Sequence, residues 1–305
     1  MARNGSLLLL AFLFAATSAL AQRAGSKALP RGVILVKGAT PSASDSTTPV
    51  PEATAIAAGR LESRYFGIAY RIPAGWTEQV KGPPPSDSGN YVLALLVPSD
   101  TMMSKSVRGS ILIQAQDLFF TAAPAANALQ MVSYVRDHLP PGQQVLRAPA
   151  EVKLGDRTFA RLDYAAPDIG LHWHIAATDI RCHTVQFIFS GPDPEMLDGM
   201  IANLSRLDLP GASRAPICVA GYAAPENVIE RVDPVFPTHR FNAVPTRIII
   251  DRQGRVKHVH VISAFPEQSA AVVAALMKWR FKPYLKNGKP VEIETGILFG
   301  SGNGR

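Results

Sequence analysis

The sequence predicts an α+β protein of two domains: an antiparallel sheet with helices on its faces, followed by a small three-stranded antiparallel sheet with one packed helix. Three observations predict it. Apolar residues recur with period two far more often than with helical period, and short turns join most of these runs, which favours antiparallel pairing. Two stretches, 123–139 and 193–209, do carry helical signals. The chain has 305 residues, which against roughly 100–200 per domain leaves room for two. Hydrophobic residues make up 47% and charged residues 18%, enough to build a core rather than a disordered chain.

In chain order, residues 1–21 read as a secretory signal peptide. Arg3 supplies positive charge, Leu7–Leu20 is apolar, and Ala19-Leu20-Ala21 is a small-x-small cleavage pattern that predicts a mature start at Gln22. The apolar run is shorter than the roughly 20 residues a membrane-spanning helix needs, and no later stretch is long and apolar enough to cross. An uncleaved anchor is the alternative. Residues 22–59, rich in Pro, Ser, Thr and Ala, lack hydrophobic period and are expected to be a disordered tether.

The first domain is placed at 60–209. "YFGIAYRIP", "NYVLALLVP" and "GSILIQAQ" alternate as strands. In 123–139, Leu129, Val132, Val135 and Leu139 share a helix face, and Pro140-Pro141 ends it. "AEVKL", "TFARLDYAA", "LHWHIAATDI" and "TVQFIFSG" follow as strands. The closing helix starts with Asp193 as its cap and Pro194 in its first turn. "YRIPAGW", "GDRTFARLDY", "FIFSG" and "MLDGMIANLSRL" resemble the PsbP-like family, which implies an N-terminal antiparallel-sheet α/β/α sandwich that binds or assists assembly.

Residues 210–225, rich in Pro, Gly and Ala, are expected to link this domain to a second at 226–305. There "VPTRIIIDRQGRVKHVHVISAF" predicts a hairpin turning at Asp251–Gly254, and "FPEQSAAVVAALMKW" a helix running to about Trp279. Pro283 bars its continuation. Trp279 and Phe281 are suited to pin the helix end to the sheet, and Asn287-Gly288 to a tight turn. A final strand then sets Val291, Ile293, Thr295, Ile297 and Phe299 on one face, and Glu292, Glu294, Gly296 and Leu298 on the other.

The order of these pieces is similar to the TonB C-terminal domain family. It is carried by "PVFP", "RIIIDRQGRVKHVHVISA", "ALMKWRFKPYLKNGKPV" and "GILF", over about residues 232–299. The resemblance implies a domain that engages outer-membrane receptors by pairing a sheet edge with an extended segment. Family members usually carry a short helix where only "THRFNAV" stands here, and true transducers have a membrane anchor and a long Pro-rich spacer.

Chemistry is sparse. Cys182 and Cys218, the only cysteines, can form a disulfide tying the linker to the first domain, or remain two unrelated thiols. His172/His174 and His258/His260 stand two apart and can present two imidazoles to one ion, or form solvent-facing strand rows. No carboxylate or Cys joins either pair at ligand spacing, so no metal is assigned. Asp163, Asp168 and Asp179 are dispersed, no nucleophile elbow is present, and Trp76 and Trp173 suit a core better than a sugar site. The formal net charge of +7 comes without a basic run, so nucleic acid is not an expected partner.

The sequence is thus read as an exported, periplasmic or secreted, non-enzymatic binding or adaptor protein without cofactor or catalytic residues. Its expected partner is an envelope protein, such as an outer-membrane receptor, paired at Glu292, Ile293, Glu294, Thr295, Gly296, Ile297 and Leu298. The last strand is expected at a sheet edge, where unpaired backbone groups template another strand. Glu292 and Glu294 would guard that edge, and Gly296 would let a partner's side chain approach. A neighbouring segment or a second copy in a homodimer are the other occupants. The alternatives are a ligand carrier or enzyme with its site in the first domain, and an anchored TonB-type energy transducer.

Overall fold

The structure, a computed structural model, describes residues 54–80, 90–100, 108–120, 125–208, 216–236, 244–262 and 264–299. The signal segment, most of the tether and the "THRFNA" stretch lie outside the described residues. The first described strands are β1 (Thr54–Ala57), β2 (Arg60–Ser63) and β3 (Ile68–Arg71), which pair in that order. Thr54–Ala57, placed in the predicted tether, thus form a strand. Ala58 and Gly59, both with positive φ, turn β1 back onto β2, and Ile56 packs against the first core. Four residues of alternation are too few to stand out from a low-complexity stretch.

Seven strands make the main sheet: β4 (Trp76–Val80), β5 (Asn90–Pro98), β6 (Ser110–Asp117), β7 (Gln144–Leu154), β8 (Arg157–Ala166), β9 (Leu171–Ile180) and β10 (His183–Gly191). Their order is β4-β5-β6-β10-β9-β8-β7, antiparallel throughout. Helix α1 (Ala128–Asp137) lays Ala128 and Val132 on Leu162, Ile175 and Ile188. Helix α2 (Pro194–Asn203) lays Leu197, Met200 and Ile201 on Phe187 and Phe189, beside Leu61 and Tyr70 of the small sheet. Because Ile188 and its neighbours Phe187 and Phe189 point to opposite faces, the helices lie on opposite sides, as the sandwich reading expects. Asp193 caps α2, accepting from the amides of Glu195 and Met196 at 3.0 and 3.3 Å.

The remaining elements are β11 (Ile217–Cys218), β12 (Val228–Glu230), β13 (Val244–Ile250), β14 (Val256–Val261), α3 (Pro266–Leu276), β15 (Arg280–Phe281), β16 (Leu285–Lys286), β17 (Lys289–Pro290) and β18 (Ile293–Phe299). The C-terminal sheet runs β11-β18-β13-β14. Its three antiparallel strands are those expected. The fourth, β11, comes from the predicted linker and pairs parallel to β18. Asp251 builds the β13–β14 turn by accepting from the amides of Gln253 and Arg255 at 2.9 and 2.8 Å. Gly254 is required there: its φ is +79°, and a Cβ would strike the Phe281 carbonyl. Asn287 and Gly288, at φ 53° and 74°, turn β16 into β17.

The helix ends at Leu276, three residues short of the expected Trp279. Trp279 pins the chain beyond it. Its indole N–H donates to the Val232 carbonyl at 2.7 Å, and its ring meets Phe281 and Phe299, each with centroids 5.8 Å away. Ile248, Ile250, Val259, Val261, Ile293, Ile297 and Phe299 share this core with Val272 and Leu276 of α3.

Candidate functional site

The predicted partner strand is β18, and its two faces and outer edge are each occupied differently. Ile293, Thr295, Ile297 and Phe299 lie on the α3 face, where alternation put them; the first, third and last of them join the apolar core. The opposite face, expected to guard an open edge, instead meets the first domain. Glu294 is fully buried. A Cβ on Gly296 would come within 2.9 Å of the Phe120 ring and 3.0 Å of Phe119. The side chains that approach Gly296 are thus this chain's own. Glu292 alone keeps the expected surface role, paired with Lys257 at 2.9 Å.

The edge is half covered. Ile217 N–H donates to the Glu292 carbonyl at 2.9 Å, and Val219 N–H to the Glu294 carbonyl at 3.0 Å. Backbone groups of alternate residues point the same way along a strand. The amides and carbonyls of Gly296 and Leu298 therefore also face outward, away from β13, beyond the end of β11. No strand among the described residues pairs with them. A lone edge, expected along 292–298, is in fact strapped over one half and, among the described residues, unpaired over the other.

The face under Glu294 holds a buried charge network assembled from both domains. Glu294 accepts from Tyr65 Oη at 2.8 Å and from Arg181 Nε at 2.9 Å. Arg247 of β13 lies 3.5 Å from Glu294 and forms a close ion pair with Asp117 at the end of β6, every side chain of this trio fully buried. Asp117 also accepts from the amides of Phe119 and Phe120, at 2.7 and 3.0 Å, and so positions the rings over Gly296. Arg181 lies over the Tyr65 ring at 3.7 Å. Arg181 has φ 57° at the tip of the β9–β10 hairpin, a left-handed conformation that its side chain's two partners in the other elements help hold.

Burial raises the Glu294 carboxyl, but Arg181, Arg247 and the Tyr65 hydroxyl overcome it and leave it below its ordinary range. Burial and the Glu294 charge push the Tyr65 phenol well up. His183 and His260 sit in the same region, with the Tyr65 ring 5.5 and 6.3 Å from them and the Tyr91 ring 5.7 and 6.4 Å away. Burial, reinforced by the Arg247 and Arg181 cations, holds both imidazoles well below their usual range, so they are neutral. The network ties β18 and β13 to β6, the β9–β10 hairpin and Tyr65.

Cys182 and Cys218 form the expected disulfide, with Cα atoms 5.1 Å apart. It joins the β9–β10 hairpin tip to β11. The histidine pairs do not form solvent-facing rows. His258 and His260 are each about 1% exposed on the face covered by the first domain. His174 meets Asp163 and Asp198, whose ligand atoms lie within 4.8 Å of one another. Arg147 and Arg161 already hold Asp163 at 2.8 Å each, and Arg161 also pairs with Asp198. Two guanidiniums supply the positive charge there, and the cluster fastens α2 to β8 and β9. Trp173 stacks on Tyr164 with centroids 5.2 Å apart inside the α1 core, and Trp76 lies in the other core. A cleft of about 240 Å³ lies in the C-terminal region, lined by Ala223, Pro225, Val228, Ile229, Arg231 and Trp279.

Sequence reading missed Tyr65, Asp117, Arg181, Arg247 and the strap at Ile217. The available signal was slight: Arg247 shares its face of β13 with the apolar Ile249.

Residues 243–300 match the family described as the Gram-negative bacterial TonB protein C-terminal. The match points to a protein-interaction role in the cell envelope. Among solved structures, the solution structure of cyanobacterial PsbP (CyanoP) from Synechocystis sp. PCC 6803 is similar, at 15% identity and a TM-score of 0.31, over 52% of this chain and 92% of that one. No curated protein matches. Among the described residues, no helix is long and apolar enough to cross a membrane.

Proposed function

We propose that this chain is an exported, non-enzymatic adaptor whose C-terminal domain recruits an envelope protein by adding an extended segment of that protein to β18. The observation that carries the reading is the outward-facing backbone of Gly296 and Leu298 on the strand that closes the family-matched region. Unpaired amides and carbonyls in an extended row are a template for strand addition. The disulfide agrees with an oxidising compartment, and the signal-like leader with export into one. The first domain's part is to hold β18 rigid from beneath through Asp117, Arg181 and Phe120.

Affinity capture tests the reading. Chain beginning at Gln22 is immobilised and exposed to a Gram-negative envelope extract, beside a version lacking residues 225–305. Envelope proteins retained by the first and lost from the second are expected. Equal recovery on both would reject a recruiting role for the C-terminal domain.

A further inference from the structure

The outer edge of β18 at Glu292–Glu294 is covered by a segment that occupies it as a partner strand would. The amides of Ile217 and Val219 donate to β18 carbonyls on either side of the β11 pairing, and among the described residues β11 pairs with no strand other than β18. Ile217 and Val219 turn toward the C-terminal core, while Cys218 between them is bonded to Cys182. The chain immediately after is anchored independently, since Tyr222 is buried and its hydroxyl donates to the Lys282 carbonyl at 2.7 Å. The strap can therefore lift over a few residues without dismantling the domain.

We propose that β11 is an intramolecular placeholder for the partner strand, and that the Cys182–Cys218 disulfide latches it. This rests on the strand-addition reading above and names its regulation and the partner's chemistry. With the strap in place, the outward row is limited to Gly296 and Leu298. With it lifted, the Glu292 carbonyl and the backbone groups of Glu294 join the row and roughly double the ladder. The strap also specifies its replacement. An incoming segment runs parallel to β18, carries apolar residues where Ile217 and Val219 sit, and has a small residue where Cys218 faces Cys182.

Opening requires a dithiol reductant of the thiol–disulfide exchange class. Its thiolate attacks the sulfur of Cys218, which is partly exposed whereas Cys182 is buried. The S–S bond breaks, Cys182 leaves as a thiolate and takes a proton, and a mixed disulfide forms on Cys218. The reductant's second thiol displaces Cys218, which is protonated in turn. Two electrons pass to the protein and the dithiol becomes a disulfide. The Cys182 sulfur lies 3.3 Å from the Glu294 carbonyl, so the new thiol can donate to an acceptor that lifting the strap leaves bare.

Hydrogen exchange on the full chain, oxidised and after dithiothreitol, tests the latch. The Ile217 and Val219 amides are expected to exchange about 10- to 100-fold faster once the tether is cut, with β13 and β14 unchanged. A fluorescent peptide of residues 215–222 carrying Cys218→Ser is the strand probe. It is expected to bind the Cys182→Ser/Cys218→Ser protein at least about tenfold more tightly than the oxidised chain. Unchanged exchange at Ile217 and Val219 overturns the latch. Loosening of the whole sheet overturns it too, making the disulfide a general staple. A lifted strap with no peptide binding overturns the placeholder. Peptide binding without capture of any envelope protein would instead reject the envelope role and leave the latch standing.

Discussion

The C-terminal sheet shows two faces to two very different neighbours. On the α3 side, Ile248, Val259, Ile293 and Phe299 meet Val272 and Leu276, and burial of apolar surface accounts for the packing. On the other side, Arg247, Glu294, His258 and His260 are equally buried, under a domain that brings Asp117, Arg181 and Tyr65 to meet them. Both faces come from the same alternating strands. The apolar face would accept many partners of the right volume, whereas the charged face accepts only one whose charges fall in register.

Substitutions can break this contrast. The largest effect is expected for Arg247→Met, which leaves Asp117 buried without its ion pair and removes one of Glu294's two cations. Uncompensated buried charge costs about 3–5 kcal/mol, read as a shift in the urea midpoint. Ile248→Ala on the apolar face should cost about 2–5 kcal/mol, but only the Arg247 loss should be partly recovered by Asp117→Leu in the same chain. Without that recovery, the two faces do not differ in kind.

Removing the disulfide comes next. Its cysteines are 36 residues apart; a general staple over that loop would be worth about 4 kcal/mol on the chain-entropy account, whereas a latch confined to β11 predicts a smaller shift. Equilibrium denaturation with and without reductant measures it. Gly296→Val should cost about 1–3 kcal/mol, since its side chain must displace the Phe119 and Phe120 rings. Gly296→Ala should cost less than the valine, and if both are neutral the close packing at this position is not a constraint.

The gentlest perturbation is pH. His183 and His260 have lowered values in the folded chain, so below about pH 6.5 the unfolded chain binds more protons than the folded one, and stability falls with falling pH. Arg181, Arg247 and His258 face these imidazoles with positive or neutral groups, and Asp117 and Glu294 are already committed to arginines. Glu294, also lowered, adds a further loss as pH falls through its folded value. Thermal unfolding between pH 8 and pH 5 should show a declining melting temperature, and His183→Gln should flatten it.

Alternation told which residues of β18 share a face, and that part was legible: Ile293, Thr295, Ile297 and Phe299 lie where period two puts them. What covers a face is not written in its period. Glu294 and Gly296 read as surface residues because their partners, Arg181, Asp117 and Phe120, lie more than a hundred residues away in a different domain. The family resemblance raised the same expectation of an open edge. Ile217 was invisible for another reason. Two residues of strand among prolines, alanines and glycines leave no pattern, and only the lone cysteine beside it marked the spot. Asp193, Asn287 and Gly288 were legible because caps and tight turns depend on one or two residues alone.

The strap also sets an order of events during synthesis. Cys182 and Cys218 are both made long before β18, the strand on which β11 rests. The two sulfurs can meet early, but the strap acquires its mate only when residues 293–299 exist. A disulfide formed before then joins a hairpin tip to a loose segment, and docking of the final strand converts that flexible tie into a seated one. Docking of β18 thus decides when an already closed covalent loop becomes a structural element.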